Sequence, residues 1–429
     1  MLTINLAYKN NKKFINFLDK YLLLILYFSL IIGFFLNENT LGGSLSDYIS
    51  QKVISKKFSD DLINTLLNYD KEPHRHSPVL LIILAAFEKF NVNDIIIRLI
   101  NLHFLLLIIF FFKKCLEIKF SNINKKIINV ISVLILISPT FRSLSIWPDS
   151  RMYGILFFVL SIFFFLKYEK SKATKIKFKY ALLNTVFLAT SSYFSPNFCV
   201  FLFYFYYYFV KCFFNFKLIF ILFIVNTILA LPAIYYVFFL KIYFFLTPAT
   251  YSVDISTTLN IANKLLLISS IFLFHYLPIF LFVKKSFKKL IFYILLASPI
   301  FLISVYYFNY SNSFTGGGVI FKASNLILGN NHIFYIFSFI GLLLICHLSY
   351  KNFNNFLLIL LIFLNNPQLE VYHKYYDPML LILFFTLFNL NFKKLLLEKR
   401  VLFLYLFNSL FLILNLLREK IFILSIKLL

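Results

Sequence analysis

Long apolar runs recur from one end of this chain to the other, and they constrain its fold more than any other feature. "YLLLILYFSLIIGFFL" at 21–36 and "LIFILFIVNTILALPAIYYVFFL" at 218–240 are two of them. A helix needs roughly 17–25 such residues to cross a ~30 Å hydrocarbon layer. The runs do not alternate with period two, so they do not read as the strands of a membrane β-barrel. A chain that is 61% hydrophobic and 14% charged, with a mean hydropathy of +0.85, is not a soluble globular protein. The expected fold is all-α: a polytopic transmembrane bundle of about 12–13 spans, with a long first external loop bearing short interfacial helices.

The net charge of +25 invites a nucleic-acid reading, but the lysines are scattered over short stretches between the apolar runs. That distribution fits residues that hold loops on the cytoplasmic side. The basic segments are the amino-terminal stretch with Lys9, Lys12, Lys13 and Lys20, then 113–126, 167–179, 211–217, 284–289, Lys351 and 393–400. If all lie inside, the polar stretches 37–77, 141–152, 194–197, 241–264, 308–332 and 365–377 lie outside, and these hold most of the acids. "HSPVLLIILAAFEKF" at 76–90 is short for a span and reads as an interfacial helix on the external side. The run after the basic start lacks a small-residue cleavage site, so the first helix is expected to stay as an anchor. The division expected is a cytoplasmic segment 1–20, a catalytic membrane module 21–215, and a second membrane module 216–429. Cys115, Cys199, Cys212 and Cys346 stand far apart and suggest neither a disulfide framework nor a metal site.

The external stretches carry the chemistry. "GGSLSDYI" at 42–49 sets Asp47 behind Gly42–Gly43, where it reads either as a reactive acid or as a helix-capping one. Asp60 reads as a capping acid. In "HRHSPVLL", His74, Arg75 and His76 precede Pro78, which can start a helix; two histidines at i, i+2 make a poor metal site without a third ligand. "SIWPDSRMYG" at 145–154 holds Asp149, Arg151 and Tyr153. The plain reading there is an N-cap with Trp147 and Tyr153 as interface anchors. The chemical reading is an acid beside a guanidinium fork suited to a phosphate. "FTGGGVIFKASN" presents Gly316–Gly318 and Lys322, a loop whose backbone can approach an anion but which lacks the GKS/T of a nucleotide P-loop. "VYHKYYDP" crowds His373, Lys374, Tyr375, Tyr376 and Asp377 together, and the two tyrosines can equally be belt residues.

The order of these elements resembles the GT-C superfamily of membrane glycosyltransferases, in particular the branch of polyprenyl-phosphate-mannose and aminoarabinose transferases. An acid-bearing loop follows the first helix, and "RHSP" at 75–78 resembles the family's His-Pro-Pro element. Arg98–Leu99 stand where an Arg-Leu pair opens a span. Ser138–Pro139 with Asp149, Arg151 and Tyr153 resemble a later external turn, "YFSPN" at 193–197 another, and "HKYYDP" a late one. The likeness covers residues 20–200 and, more loosely, 300–380. It departs from the family at Asp47, a single acid beside Ser46 where a pair is usual, and at Ser77, where a proline is usual.

The resemblance implies transfer of a sugar from a polyprenyl phosphate to a hydroxyl of a lipid, glycan or protein at the external face of a bacterial cell membrane. Asp47 would take the hydroxyl proton, with Asp149 orienting the acceptor or sharing that work. Arg151, Lys322, His373, Lys374 and Tyr375 would meet the lipid phosphate, with Tyr153, Arg75 and His76 beside them. Neither a cofactor nor a metal is called for, and no nucleic-acid partner. Two other classes remain on the sequence alone. A transporter or flippase would place ionisable groups within spans and break helices there. A glycan polymerase or ligase would gather arginines in one large late loop.

Overall fold

The computed structural model describes residues 2–41, 43–72, 76–212, 216–243, 260–280, 283, 289–312, 314, 316–366, 368, 370–392 and 394–427, and of these the side chains of all but 2–14, 212, 394–400 and 419–427. The chain is all-α, about 80% helical, with no strand among the described residues. It divides into two compact units: Met1–Val253 with Tyr405–Leu429, and Asp254–Leu404. The helix after position 215 packs on an earlier helix of the first unit, and the last helix returns to that unit.

The first unit contains α1 (Leu2–Phe35), α2 (Ser44–Asp60), α3 (Leu62–Leu67), α4 (Val79–Lys89), α5 (Asp94–Leu105), α6 (Leu107–Lys119), α7 (Lys125–Val133), α8 (Pro139–Ile146), α9 (Ser150–Lys170), α10 (Thr174–Phe194), α11 (Leu202–Cys212) and α12 (Phe216–Ile234). The second contains α13 (Ile261–Tyr276), α14 (Leu290–Tyr306), α15 (Gly318–Leu328), α16 (His332–Ser349), α17 (Phe353–Leu364) and α18 (Met379–Thr386); α19 (Lys394–Lys427) begins there and ends in the first. Short polar residues start many of these helices by accepting an otherwise unpaired backbone N–H. Asn93 does so for α5, Asn124 for α7, Ser138 for α8, Asn260 for α13 and Asn352 for α17. The capping acid of the first loop is Asp61, which accepts from the Asn64 N–H; Asp60, expected in that role, is the last residue of α2.

Among the described residues, six helical stretches are long and apolar enough to span a membrane: Ile15–Phe35, Asp94–Lys119, Ser150–Lys170, Phe216–Phe239, His332–Ser349 and Val401–Arg418. A seventh arises if Lys125–Ile137 and Pro139–Ile146, bent by 64° at Ser138, count as one. This is fewer than the twelve or thirteen expected. The apolar runs are there, but several form shorter helices of 10–17 residues: α13, α14, α15 and α17. As expected of 76–90, Pro78 leads directly into α4, eleven residues and roughly 16 Å long, which packs on α2.

In the second unit α17 and α18 form a hairpin whose two open ends meet. Asn355, near the start of α17, donates to the carbonyls of Leu348 and Asn389 and accepts from the Asn389 N–H. The two helices rise only roughly 18 and 12 Å. The tip, read from sequence as the external loop 365–377, is folded into the unit: Asn365, Asn366, Glu370, Tyr376 and Asp377 are buried, and every residue of α18 is too.

Candidate functional site

The polar end of the first unit is built where α1 turns into α2. Asn37 takes a left-handed backbone (φ 53°), a conformation its short polar side chain tolerates, and so redirects the chain after α1. Glu38, next along, is turned inward. Its carboxylate accepts from Arg142 Nε at 2.7 Å and Nη2 at 2.5 Å, a bidentate pair with both side chains buried. Arg142 also donates to the hydroxyl and carbonyl of Ser29 on α1. The Glu38 carbonyl accepts from Trp147 Nε1 at 3.0 Å. Trp147 is therefore a core residue, not the interface anchor expected; the whole stretch from Val130 to Met152, read in part as external, is buried.

Arg98 closes the same end. Its guanidinium lies 3.7 Å over the Trp147 ring and 4.8 Å from that of Phe34, and it donates to Ile146 O and Asn37 Oδ1. Asn101, one turn further along α5, donates to Ser145 O. The Arg98 expected to open a span thus anchors the turn that carries Asp149 and Arg151.

The first turn of α2 docks here as well. Ser143 donates to the Ser44 hydroxyl at 2.8 Å, and the Tyr48 and Trp147 rings are 6.0 Å apart. Asp47 lies between Ser44 and Tyr48, half-buried. It is not the N-cap; Gly43 is, and the Asp47 N–H donates to the Gly43 carbonyl. A carboxylate in a first helical turn is favoured by the helix dipole. Tyr48 donates to Asp94 Oδ1 at 2.7 Å, and Lys52 reaches the same oxygen at 2.9 Å. Burial first, then the bond to Asp94, hold the Tyr48 hydroxyl well above its usual value. Burial is the largest single influence on the Lys52 ammonium and works against it, but the bonds and charges of Asp94 and Glu88 together raise the group.

Asp149 is buried and caps α9: its Oδ1 accepts from the Arg151 N–H at 2.8 Å. The plain reading of this acid as a cap therefore holds. Arg151, also buried, places its guanidinium 5.8 Å from the Phe198 ring. Tyr153 is stacked between Phe104 of α5 and Phe194 of α10, in an aromatic column that continues through Phe157. His76 belongs elsewhere. Its carbonyl accepts from Tyr69, whose ring packs on Phe58, eleven residues and roughly 16 Å along α2 from Asp47. Arg75, His74 and Gly42 lie outside the described residues.

The second unit holds the other expected cations. Lys322 on α15 gives its ammonium to the carbonyls of Asn312 and Phe314. Gly317 (φ +100°) donates to Val371 O, and a side chain at Gly318 (φ +79°) would meet Ile271 on α13. The glycine run therefore lets the chain pass closely between α13 and the hairpin tip. There His373 Nε2 lies 3.0 Å from His275 Nε2. Lys374 lies 5.5 Å over the Tyr372 ring, and Tyr375 donates to Gln368. Among the described residues no three His, Cys, Asp or Glu gather as a metal site.

Local sequence motifs single out neither Glu38 nor Arg142. A signal was present: only six of the 42 basic residues are arginine, at 75, 98, 142, 151, 400 and 418. Where lysine serves everywhere else, a retained guanidinium marks a position that needs its planar fork.

Fold and site define the class: a polytopic α-helical membrane protein with a buried, arginine-rich polar end in its first unit. No protein-family model, no curated protein and no solved structure matches the chain.

Proposed function

We propose that the protein is an integral-membrane glycosyltransferase that moves a sugar from a polyprenyl phosphate to an acceptor hydroxyl, using the polar end of the first unit. One observation carries the reading. The loop after the first helix, Arg98, and the turn between Ser138 and Arg151 are far apart in the chain, yet they are tied together by direct contacts (Ser44–Ser143, Arg98–Trp147, Glu38–Arg142). These are segments whose order resembles the GT-C transferases. Asp47, half-buried and set on this assembly, is the base that would take the acceptor proton as attack on the anomeric carbon proceeds. Arg151 is the residue of this unit that the family resemblance assigns to the charge developing on the departing phosphate. Asp149, held as a cap, would position Arg151 through its backbone. The phosphate-binding role expected of Lys322, His373, Lys374 and Tyr375 belongs to the second unit and is tested by substitution there.

The experiment is transfer from a radiolabelled polyprenyl-phosphate sugar in membranes. Asp47→Asn is expected to insert at wild-type level and lose transfer by at least roughly 10²-fold, the lower end of a general base's contribution. Asp149→Asn keeps an acceptor oxygen for the cap and is expected to retain most activity. Full transfer by Asp47→Asn removes Asp47 from the mechanism.

A second reading, a transporter, is favoured by the buried His275–His373 contact and the short hairpin around it. Uptake of substrate into sealed vesicles without any change in its covalent structure would select it.

A further inference from the structure

We infer that His275 and His373 form an acid-sensitive contact inside the second unit: they share one proton between their facing Nε2 atoms and admit only one more, on an Nδ1. The inference stands independently of sugar transfer. Two imidazole nitrogens 3.0 Å apart are in hydrogen-bond contact, which requires a proton on one Nε2 and a lone pair on the other. The rings are 4.8 Å apart at their centroids and tilted by 33°. A neutral pair satisfies this. So does an imidazolium–imidazole pair, in which the extra proton sits on an Nδ1 and the shared bond is charge-assisted. A doubly charged pair does not, because both Nε2 atoms then carry protons and face each other. The geometry admits one added proton and refuses a second while the contact lasts.

The site lies in the unit's interior. His275 is on α13, fourteen residues and roughly 21 Å from its first residue, and is buried. His373 sits at the hairpin tip, and a Cβ at Gly318 would lie 3.9 Å from its Nδ1. The Phe274 ring stands edge-on to His373 at 5.4 Å. An ionisable pair in such surroundings is costly unless it does something.

Among the described residues, charged groups lie on the tip and on α13, α15 and α16. On the tip, Glu370 and Asp377 are buried, while Lys374 lies over Tyr372. On α15, Lys322 is occupied by two carbonyls. On α13 itself, Lys264 is at the far end of the helix. On α16, His332 opens the helix and His347 lies against Tyr293 of α14. Residues of α17 and α18 carry no charge.

The consequence is a tip whose docking on α13 responds to acid. The open tip binds at least one more proton than the docked one, and two more until the docked pair takes its own. Docking is therefore fully stable above the ordinary imidazole value of about 6.5 and weakens as pH falls below it, by about one to two decades in the opening equilibrium per pH unit.

Hydrogen–deuterium exchange of the full chain in nanodiscs, between pH 7.5 and 4.5 and corrected for intrinsic rates, reads this directly. Peptides covering 370–378 are expected to gain protection loss of that slope on the acid side, while peptides around Ser269 and Gly341 stay protected. In His373→Gln the glutamine oxygen still accepts from His275 but cannot charge, so the slope disappears; His275→Gln serves equally should that variant fail to fold. A tip whose exchange is flat across the range in the wild type, or which keeps its slope in the glutamine variant, overturns the inference.

Discussion

At the scale of single residues, the Glu38–Arg142 pair has the largest energetic leverage. Both partners are buried and bonded twice to each other, and they join positions 104 apart in the sequence. Desolvating two charges is costly, so the pair is weak evidence of net stability; breaking it is another matter, because one charge is then left buried without its partner. Arg142→Met alone is expected to cost about 3–5 kcal/mol, and the double variant Glu38→Gln/Arg142→Met to recover much of that loss. Thermal unfolding in detergent, run as a double-mutant cycle, measures the coupling; additive effects would mean that the two charges do not depend on each other. Gly33 belongs to the same device. A methyl there would intrude on the Glu38 carboxylate, so the helix leaves a gap where the acid folds back.

The same pair shows what could and could not be read beforehand. Asp149 as a cap and Pro78 as a helix start depend on neighbours within a few residues, and local spacing reveals them. Arg142, Trp147 and Arg98 find their partners across distances of 48 to 113 residues for the bonds described above, and a polar stretch whose partners are that remote has the composition of a solvated loop. Sequence therefore read 141–152 as a polar external stretch without showing that its side chains are buried within the unit.

At the scale of elements, apolar content predicted helices well and their lengths poorly. Hydropathy measures how greasy a run is; where it breaks depends on caps and tertiary contacts. Ser138 and Pro139 end one helix and begin another at 64°, and Asn355 ties a short hairpin shut at its base. Packing between elements depends equally on small side chains. At Gly341 on α16, a Cβ would press into the backbone carbonyl of Ser269 on α13, an atom that no rotamer change can move away. Gly341→Ala is accordingly expected to destabilise by about 1–3 kcal/mol through overpacking, whereas trimming the opposite side chain with Ser269→Ala does not restore the fit. Rescue of Gly341→Ala by Ser269→Ala would show that the contact is between side chains.

At the scale of the whole molecule, the first unit separates its charges along the helix axes. Lys126 at the start of α7 donates to Asn16 of α1, and Asn129 to Asp19, so the basic start of α7 sits beside the basic stretch that precedes the apolar part of α1. The acids and arginines of the candidate site gather where α1 ends, at Asn37 and Glu38, after the roughly 30 Å rise of Ile15–Phe35. On the lysine bias the first end is expected to face the cytoplasm. The glycosyl-transfer reading needs the other end to face the leaflet where the lipid-linked donor is presented. In a variant freed of Cys115, Cys199, Cys212 and Cys346, a membrane-impermeant maleimide applied to intact cells is therefore expected to label Ser46→Cys, an exposed position one residue before Asp47. Lys172→Cys, exposed between α9 and α10, is expected to react only after permeabilisation. Labelling of both from one compartment would leave Asp47 on the lysine side of the membrane, away from an outer-leaflet donor, and the transferase assignment would fall with it even though the fold stands.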